Sequence, residues 1–422
     1  MFSEIASRLA GAQTTGRVPT IVAGIVRDGT LLWTGSAGAP VVPGTQFRIG
    51  SITKTLTAMI VMAERDTGRL RLDDRLDAYL PGCPVGAVTI RQVLGHASGL
   101  RREPVGEWWE RSAGTSIPDL LAGLTADQLA HPPHRVYHYS NLGYGLLGAL
   151  LREVTGSGWY PLVDERILQP LGLHRTAYHP TEPFARGYVV HPWDQTLREE
   201  PRHDAGAMAP AGQLWSTVDD LARYAAFLAD PDPRILAPAT LDEMCVPVSM
   251  SENWTGGHGL GIEMYRRGER VYIGHGGSMP GYLASLAVHR PTRTGVVAYA
   301  NAYTLRGGSL SAVALDLLDT VVDAMPPAPK PWRPRTGTAH EDLCGRWWWM
   351  GREYEIAADP GALTMTPLTV PGAAPWRFVP DGPDRWLGTA GMNAGEPLTV
   401  HRGPDGAPAT LDIATFLFTR RP

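Results

Sequence analysis

Ser51 and Lys54 stand three residues apart, in Ser51-Ile52-Thr53-Lys54, at the head of a stretch with helical periodicity. That offset puts both side chains on one helix face, one turn apart. A serine hydroxyl is a weak nucleophile until a base takes its proton, and a desolvated lysine amine can be that base. The helix N-terminus adds a field that favours developing negative charge. Lys plus Arg total 38, yet only two are lysines, Lys54 and Lys330. Arginine stays charged and cannot serve as a base, so a lysine kept next to a serine invites a chemical reading. The plainer alternative is Ser51 as a helix cap and Lys54 as a surface cation.

Two further groups carry chemistry. Tyr139-Ser140-Asn141 opens an apolar helical run after a Pro/His-rich loop. Tyr139 could relay a proton to a leaving group, and the Asn141 amide could orient a substrate carbonyl. A buried aromatic beside an Asn helix cap is the simpler alternative. His275-Gly276-Gly277-Ser278 ends the apolar run Val271-Tyr272-Ile273. The glycines let a substrate backbone approach closely, and the N–H of Ser278 could form an oxyanion hole with that of Ser51. Here the alternative is a turn between two strands. Trp108-Trp109, in a Pro/Gly-rich loop, could line a cleft. His131, His134 and His138 enclose Pro132 and Pro133 and read as a loop rather than a metal cluster. No metal and no cofactor is expected. Gly50-Ser51 does not match a Gly-x-Ser-x-Gly elbow, which disfavours an α/β-hydrolase.

The elements that must position these residues follow from periodicity. Val18–Val26 and Thr30–Ser36 read as strands joined by the turn Arg27-Asp28-Gly29. Helical spacing runs from Ile52 to Gly68, and again over Leu142–Val154 and Thr217–Leu228. Strand patterns return at 259–265, 270–274, 283–290 and 295–300, and a helix over 310–323 follows. Two strands, a helical middle, then more strands and a helix suggest one discontinuous α/β domain over residues 1–324. Residues 325–338 are proline-rich and read as a semi-rigid linker. From 339 to 422 the pattern is short strands, at 345–350, 353–357, 363–370, 385–389, 397–402 and 410–419. These suggest a small β-barrel or sandwich.

Composition excludes several classes. The 422 residues carry a net charge of −4, without the basic excess of a nucleic-acid footprint. No apolar run is long enough for a membrane span, so no membrane partner is expected. Three widely spaced cysteines, Cys83, Cys245 and Cys344, fit a reducing compartment rather than a disulfide framework. No secretory signal pattern is visible over residues 1–20, and a cytoplasmic location is expected.

In order, Ser-x-x-Lys, Tyr-x-Asn and His-Gly-Gly resemble the three elements of the serine β-lactamase/DD-peptidase superfamily, class C branch. The neighbouring segments Phe47 to Thr55, Val93 to Leu100, Pro210 to Asp220 and Gly274 to Tyr282 are similar to that branch as well. The tail, with Gly345 to Trp349 and Thr415 to Arg420, looks like the small lipocalin-like β domain of some actinobacterial members. The resemblance implies an antiparallel sheet flanked by helices, a helical subdomain and a C-terminal β-barrel. It implies Ser51 as the acylated nucleophile, Lys54 as its base, Tyr139 as the proton carrier to the leaving group and Asn141 as an amide binder. Gly276, Gly277 and Ser278 would border the oxyanion. His275 would stand where the lactamases carry the lysine of Lys-Thr-Gly. A switchable histidine in place of a fixed cation points towards peptidases, esterases and peptide-releasing acyltransferases.

Three functions are therefore weighed. The first is a penicillin-binding-protein-type thioesterase. It would release a carrier-protein-bound nonribosomal peptide by head-to-tail cyclisation, with the β domain excluding water and Arg420 reaching a substrate carboxylate or carbonyl. The second is a cytosolic esterase or D-aminopeptidase/amidase. The third is a binding module or sensor without turnover. In the two enzymatic readings the partner is a peptide (thio)ester or amide.

Overall fold

The apolar run after Val18 becomes a buried strand of the larger unit's sheet. Strand β1 (Thr20–Arg27) is buried along almost its whole length, and β2 (Thr30–Gly38) pairs with it antiparallel through a turn at Asp28 and Gly29. The computed structural model describes residues 1–327, 340–359 and 361–422. It divides into two compact units, Met1–Pro327 and Ala328–Pro422. Residues 328–339, which hold most of the expected linker, lie outside the described residues.

The first unit has a helical layer and an eight-stranded sheet. Its helices are α1 (Phe2–Gly16), α2 (Thr53–Asp66), α3 (Asn141–Thr155), α4 (Val218–Ala229) and α5 (Leu310–Ala324), with shorter turns between them. Its later strands are β3 (Ser249–Met250), β4 (Gly256–His258), β5 (Glu263–Arg267), β6 (Arg270–Met279), β7 (Tyr282–His289) and β8 (Thr294–Ala300). The sheet order is β2-β1-β8-β7-β6-β5-β4-β3, so strands from both ends of the sequence meet at β1 and β8. One core joins α1 and α5 to the sheet through Ile5, Leu9, Ile25 and Leu318. The other packs α2, α3 and α4 through Leu56, Leu147 and Leu221. This is the α/β arrangement the sequence implies.

Three boundaries differ from the expectation. Helix α1 was not foreseen, because Ile5 and Leu9 are the two core positions in an otherwise polar and small-residue stretch. The strand expected over 259–265 starts only at Glu263, since the Gly259 N–H bonds the Ile262 carbonyl and turns the chain there. Conversely, β6 runs on through His275–Ser278. These residues pair in register with β7, Gly276 opposite Ser285 and Ser278 opposite Leu283, so they are strand and not turn.

The second unit is a closed barrel of eight antiparallel strands: β9 (Gly345–Trp349), β10 (Arg352–Asp359), β11 (Ala362–Pro367), β12 (Trp376–Pro380), β13 (Arg385–Ala390), β14 (Pro397–Arg402), β15 (Pro408–Ile413) and β16 (Phe416–Thr419). Closure removes the exposed edges. Trp347, Tyr354, Phe378, Trp386 and Phe418 fill it. Two strands exceed the six expected. Trp376–Pro380 was hidden by its prolines, and the run 410–419 is broken by Ala414 and Thr415 at positive φ.

Candidate active site

Ser51 lies in a single 3-10 turn, Gly50–Ile52, that feeds directly into α2. Two glycines let β6 press against that turn. At Gly50 (φ +51), a side chain would begin 2.6 Å from the Ser278 nitrogen, and at Gly277 it would begin 2.0 Å from the Ile49 carbonyl. Any Cβ there would force apart the nucleophile turn and the strand. Lys54, in the first turn of α2, has no exposed surface. Its amine donates to Ser51 Oγ at 2.9 Å and to the Ala211 carbonyl at 2.7 Å. It is therefore not a surface cation, and its direction is fixed by both bonds.

Burial dominates the electrostatics. It pushes Lys54 down to about 7, while the charges of Glu110 and Glu103 oppose the shift. Tyr139 is pushed well above the usual phenol range by burial, with the neighbouring Ser51 hydroxyl working against it. Its ring stacks 4.2 Å from His96 and lies 5.0 Å from the Lys54 amine. Near neutral pH, Lys54 is thus the group poised to exchange a proton and Tyr139 is a neutral donor.

Asn141 begins α3, and Ser140 caps it, accepting from the Gly143 N–H at 3.0 Å and donating to the Arg101 carbonyl at 2.7 Å. The Asn141 amide donates to Glu103 at 2.8 Å, while its buried oxygen has no partner among the described residues. That oxygen can accept an N–H from a ligand. Glu103 in turn accepts from the Trp109 indole at 2.7 Å. Glu110 has no hydrogen-bond or ion-pair partner among the described residues, and burial lifts it to about 7, with the charge of Glu103 pushing the same way.

His275 sits on β6, 3% exposed. Its Nδ1 is 2.5 Å from the Gly276 carbonyl and 3.7 Å from the Glu263 carboxylate. The Gly276 N–H donates to Glu263 at 2.9 Å, so it is spent on the protein and not offered to a ligand. Burial lowers the pKa of His275, against the pull of Glu263. Ser51, Tyr139, His275, Gly277, Ser278 and Tyr303 line a cleft of about 610 Å³, whose walls all belong to the first unit. Trp108 is 45% exposed and edge-on to Tyr303 at 6.3 Å, beside that wall.

Ser51, Lys54, Tyr139, Asn141, His275 and Ser278 are therefore gathered in one region. Arg420 belongs to the barrel unit. There its guanidinium lies 4.0 Å from the Trp347 ring centroid and donates to the carbonyls of Cys344 and Asp342. Sequence reasoning missed His96, Glu103, Glu110, His258, Glu263 and Tyr303. His96 lay inside a segment already noted for its resemblance, but the others have no spacing that marks them.

Residues 5–318 match the family model described as Beta-lactamase, and residues 337–420 match a domain of unknown function, DUF7586. Among curated proteins, the chain is 27% identical to Beta-lactamase-like protein 2 of Dictyostelium discoideum, over 70% of this chain. It spans 58% of that relative's length. It is 29% identical to Penicillin-binding protein 4 of Amycolatopsis lactamdurans, over 72% of this chain and 81% of that protein. Among solved structures, a D-stereospecific amidohydrolase from Streptomyces sp. is similar at 27% identity and TM-score 0.65, covering 75% of this chain and 98% of that one. The octameric penicillin-binding protein homologue from Pyrococcus abyssi shares the fold at 20% identity and TM-score 0.68. That match covers 99% of this chain and 100% of the other.

Proposed function

The chain belongs to the beta-lactamase family, within the serine β-lactamase/DD-peptidase superfamily, and from that premise we propose that it hydrolyses peptidic amides through an acyl-enzyme on Ser51. The observation that carries this reading is the 2.9 Å contact between Ser51 Oγ and a fully buried Lys54 amine held near neutrality.

The steps follow from the site. Ser51 Oγ attacks the scissile carbonyl carbon as Lys54 takes its proton. The carbonyl oxygen becomes an oxyanion, held by the N–H groups of Ser51 and Ser278. Tyr139, neutral through burial, passes a proton to the leaving nitrogen, receives one from Lys54, and the C–N bond breaks. Water then attacks the ester carbon, loses its proton to Lys54, and Ser51 leaves with a proton restored. The unpaired Asn141 oxygen accepts a substrate N–H, which suits an amide or peptide better than a simple ester. Trp108 forms an outer wall. The Streptomyces amidohydrolase is D-stereospecific, and a D-residue at the acyl position is the preference we assign here.

The carrier-bound peptide cyclase expected from the sequence shares every residue of this scheme except the acceptor. The penicillin-binding protein homologue from Pyrococcus abyssi shares the fold over 99% of this chain, barrel included. The decisive experiment offers the protein D- and L-amino acid amides, together with a peptide thioester carrying a D-residue and a free N-terminal amine. Products are read by mass, with Ser51→Ala as control. The expected result is linear acid, formed faster from the D-amide and absent with Ser51→Ala. A Ser51-dependent product one water lighter than the linear acid would make the protein a cyclase. A persistent Ser51 adduct without release would make it a sensor.

A further inference from the structure

Three adjacent strands bring together side chains that the acyl-transfer scheme leaves unused. In the β4–β5 ladder His258 stands opposite Glu263, and in the β5–β6 ladder Glu263 stands opposite Gly274, the neighbour of His275. One ligand-type atom from each of His258, Glu263 and His275 lies within 4.8 Å of the other two. His258 is 2% exposed, and both its ring nitrogens lack partners among the described residues. The Nε2 of His275 is likewise buried without a partner. Packing explains the position of these rings: His258 stacks on Tyr137 at 5.3 Å and meets His96 edge-on at 4.8 Å. It does not explain three buried ring nitrogens left unpaired, since a buried polar atom without a partner costs free energy.

From this geometry we infer that His258, Glu263 and His275 form a binding site for a divalent transition-metal ion of the zinc class. Two imidazoles and one carboxylate suit such an ion, whereas magnesium and calcium take oxygen ligands. The surroundings are those of a prepared ligand set. Nδ1 of His275 meets the Gly276 carbonyl, which holds the proton there and leaves Nε2 as the lone pair offered. Glu263 Oε2 accepts from the Gly276 N–H and the Tyr265 hydroxyl, which fix the carboxylate, while Oε1 makes no hydrogen bond among the described residues. The ligands sit on strands, which are rigid supports.

Three protein ligands leave one position of a tetrahedral shell open. Glu263 and His275 both line the cleft that contains Ser51, so the open position is reached from the substrate side. The ion gives that wall a fixed positive charge, and the chemical group it takes is a carboxylate oxygen of the substrate. This last point rests on the peptidic reading above; the metal site itself does not depend on Ser51 acting as a nucleophile.

The test is metal binding by the full chain. After dialysis against a chelator, the protein is equilibrated with zinc alone and its bound metal is measured. Wild type and Ser51→Ala should each retain one zinc per chain. His258→Gln and Glu263→Gln should bind at least about tenfold more weakly. His131→Ala, altering a histidine pair outside this cluster, His131 and His138, should bind as wild type. X-ray absorption of the zinc-loaded wild type should show two imidazole nitrogens at about 2.0–2.1 Å. This readout stands even where a substitution unfolds the chain. No retained zinc, an oxygen-only shell, unchanged affinity in His258→Gln and Glu263→Gln, or loss in His131→Ala would each overturn the site.

Discussion

The Lys54 amine can act as a base only after losing a proton that lysines ordinarily keep. Its pKa near 7 makes the acylation rate of Ser51 rise with pH up to about 7 and level off above. The same shift has a stability consequence of defined sign. Between about 7 and the ordinary value of 10.5 the unfolded chain binds a proton that the folded chain does not. Lys54 therefore makes folding more favourable as pH rises through that window. Lys54→Met should slow Ser51 labelling by an acylating probe by roughly 10²–10⁴-fold. Glu110→Gln removes a charge that holds the Lys54 pKa up, so the acidic limb of the rate profile should move to lower pH; a shift upward would contradict that coupling. At this scale the sequence was readable where composition made a residue rare. Two lysines in a chain rich in arginine drew attention to Lys54. Glu110 and His258 stayed invisible because their character comes from burial, and burial is decided by segments far away in the chain.

Elements place these residues with little slack. The nucleophile turn and β6 approach closely at Gly50 and Gly277, so Gly277→Ala must push the Ile49 carbonyl away. An expected destabilisation of about 1–3 kcal/mol should appear in thermal unfolding, together with slower Ser51 acylation. Ser140→Ala removes the cap of α3 and the anchor to Arg101. It should cost about 0.5–2 kcal/mol, and its kinetic effect should fall on substrate binding through Asn141. Helices α2 and α3 could be read from their apolar spacing, although both are buried on all faces, over Thr53 to Met62 and over Asn141 to Leu151. His275–Ser278 misled because Gly-Gly-Ser carries the composition of a turn. The ladder to β7 overrides that local preference, and the real turn falls at Pro280 and Gly281. In the barrel the same error runs the other way: a strand-like run from Thr410 to Thr419 concealed the tight turn at Ala414 and Thr415.

At the scale of the whole molecule, each unit has its own core, and every wall of the Ser51 cleft comes from the first. A chain ending at Pro327 should therefore fold and label at Ser51 at a rate within a few-fold of the full protein. If the truncated chain changes the ratio of acid to cyclic product, the barrel governs the acceptor; the hydrolase reading expects no change. The change from long helical spacing to short strands left barrel and sandwich open for the tail, the resemblance implied the barrel, and the pairing of β9 with β16 closes it. Among the described residues no helix is long and apolar enough to cross a membrane.

The burial of Lys54 also sets how the protein can be handled chemically. Besides Lys330, the chain offers amine reagents only its N-terminal amine and Lys54, and Lys54 has no exposed surface. Coupling to an activated-ester resin or dye should therefore leave Lys54 unmodified, which peptide mapping of the coupled protein would check.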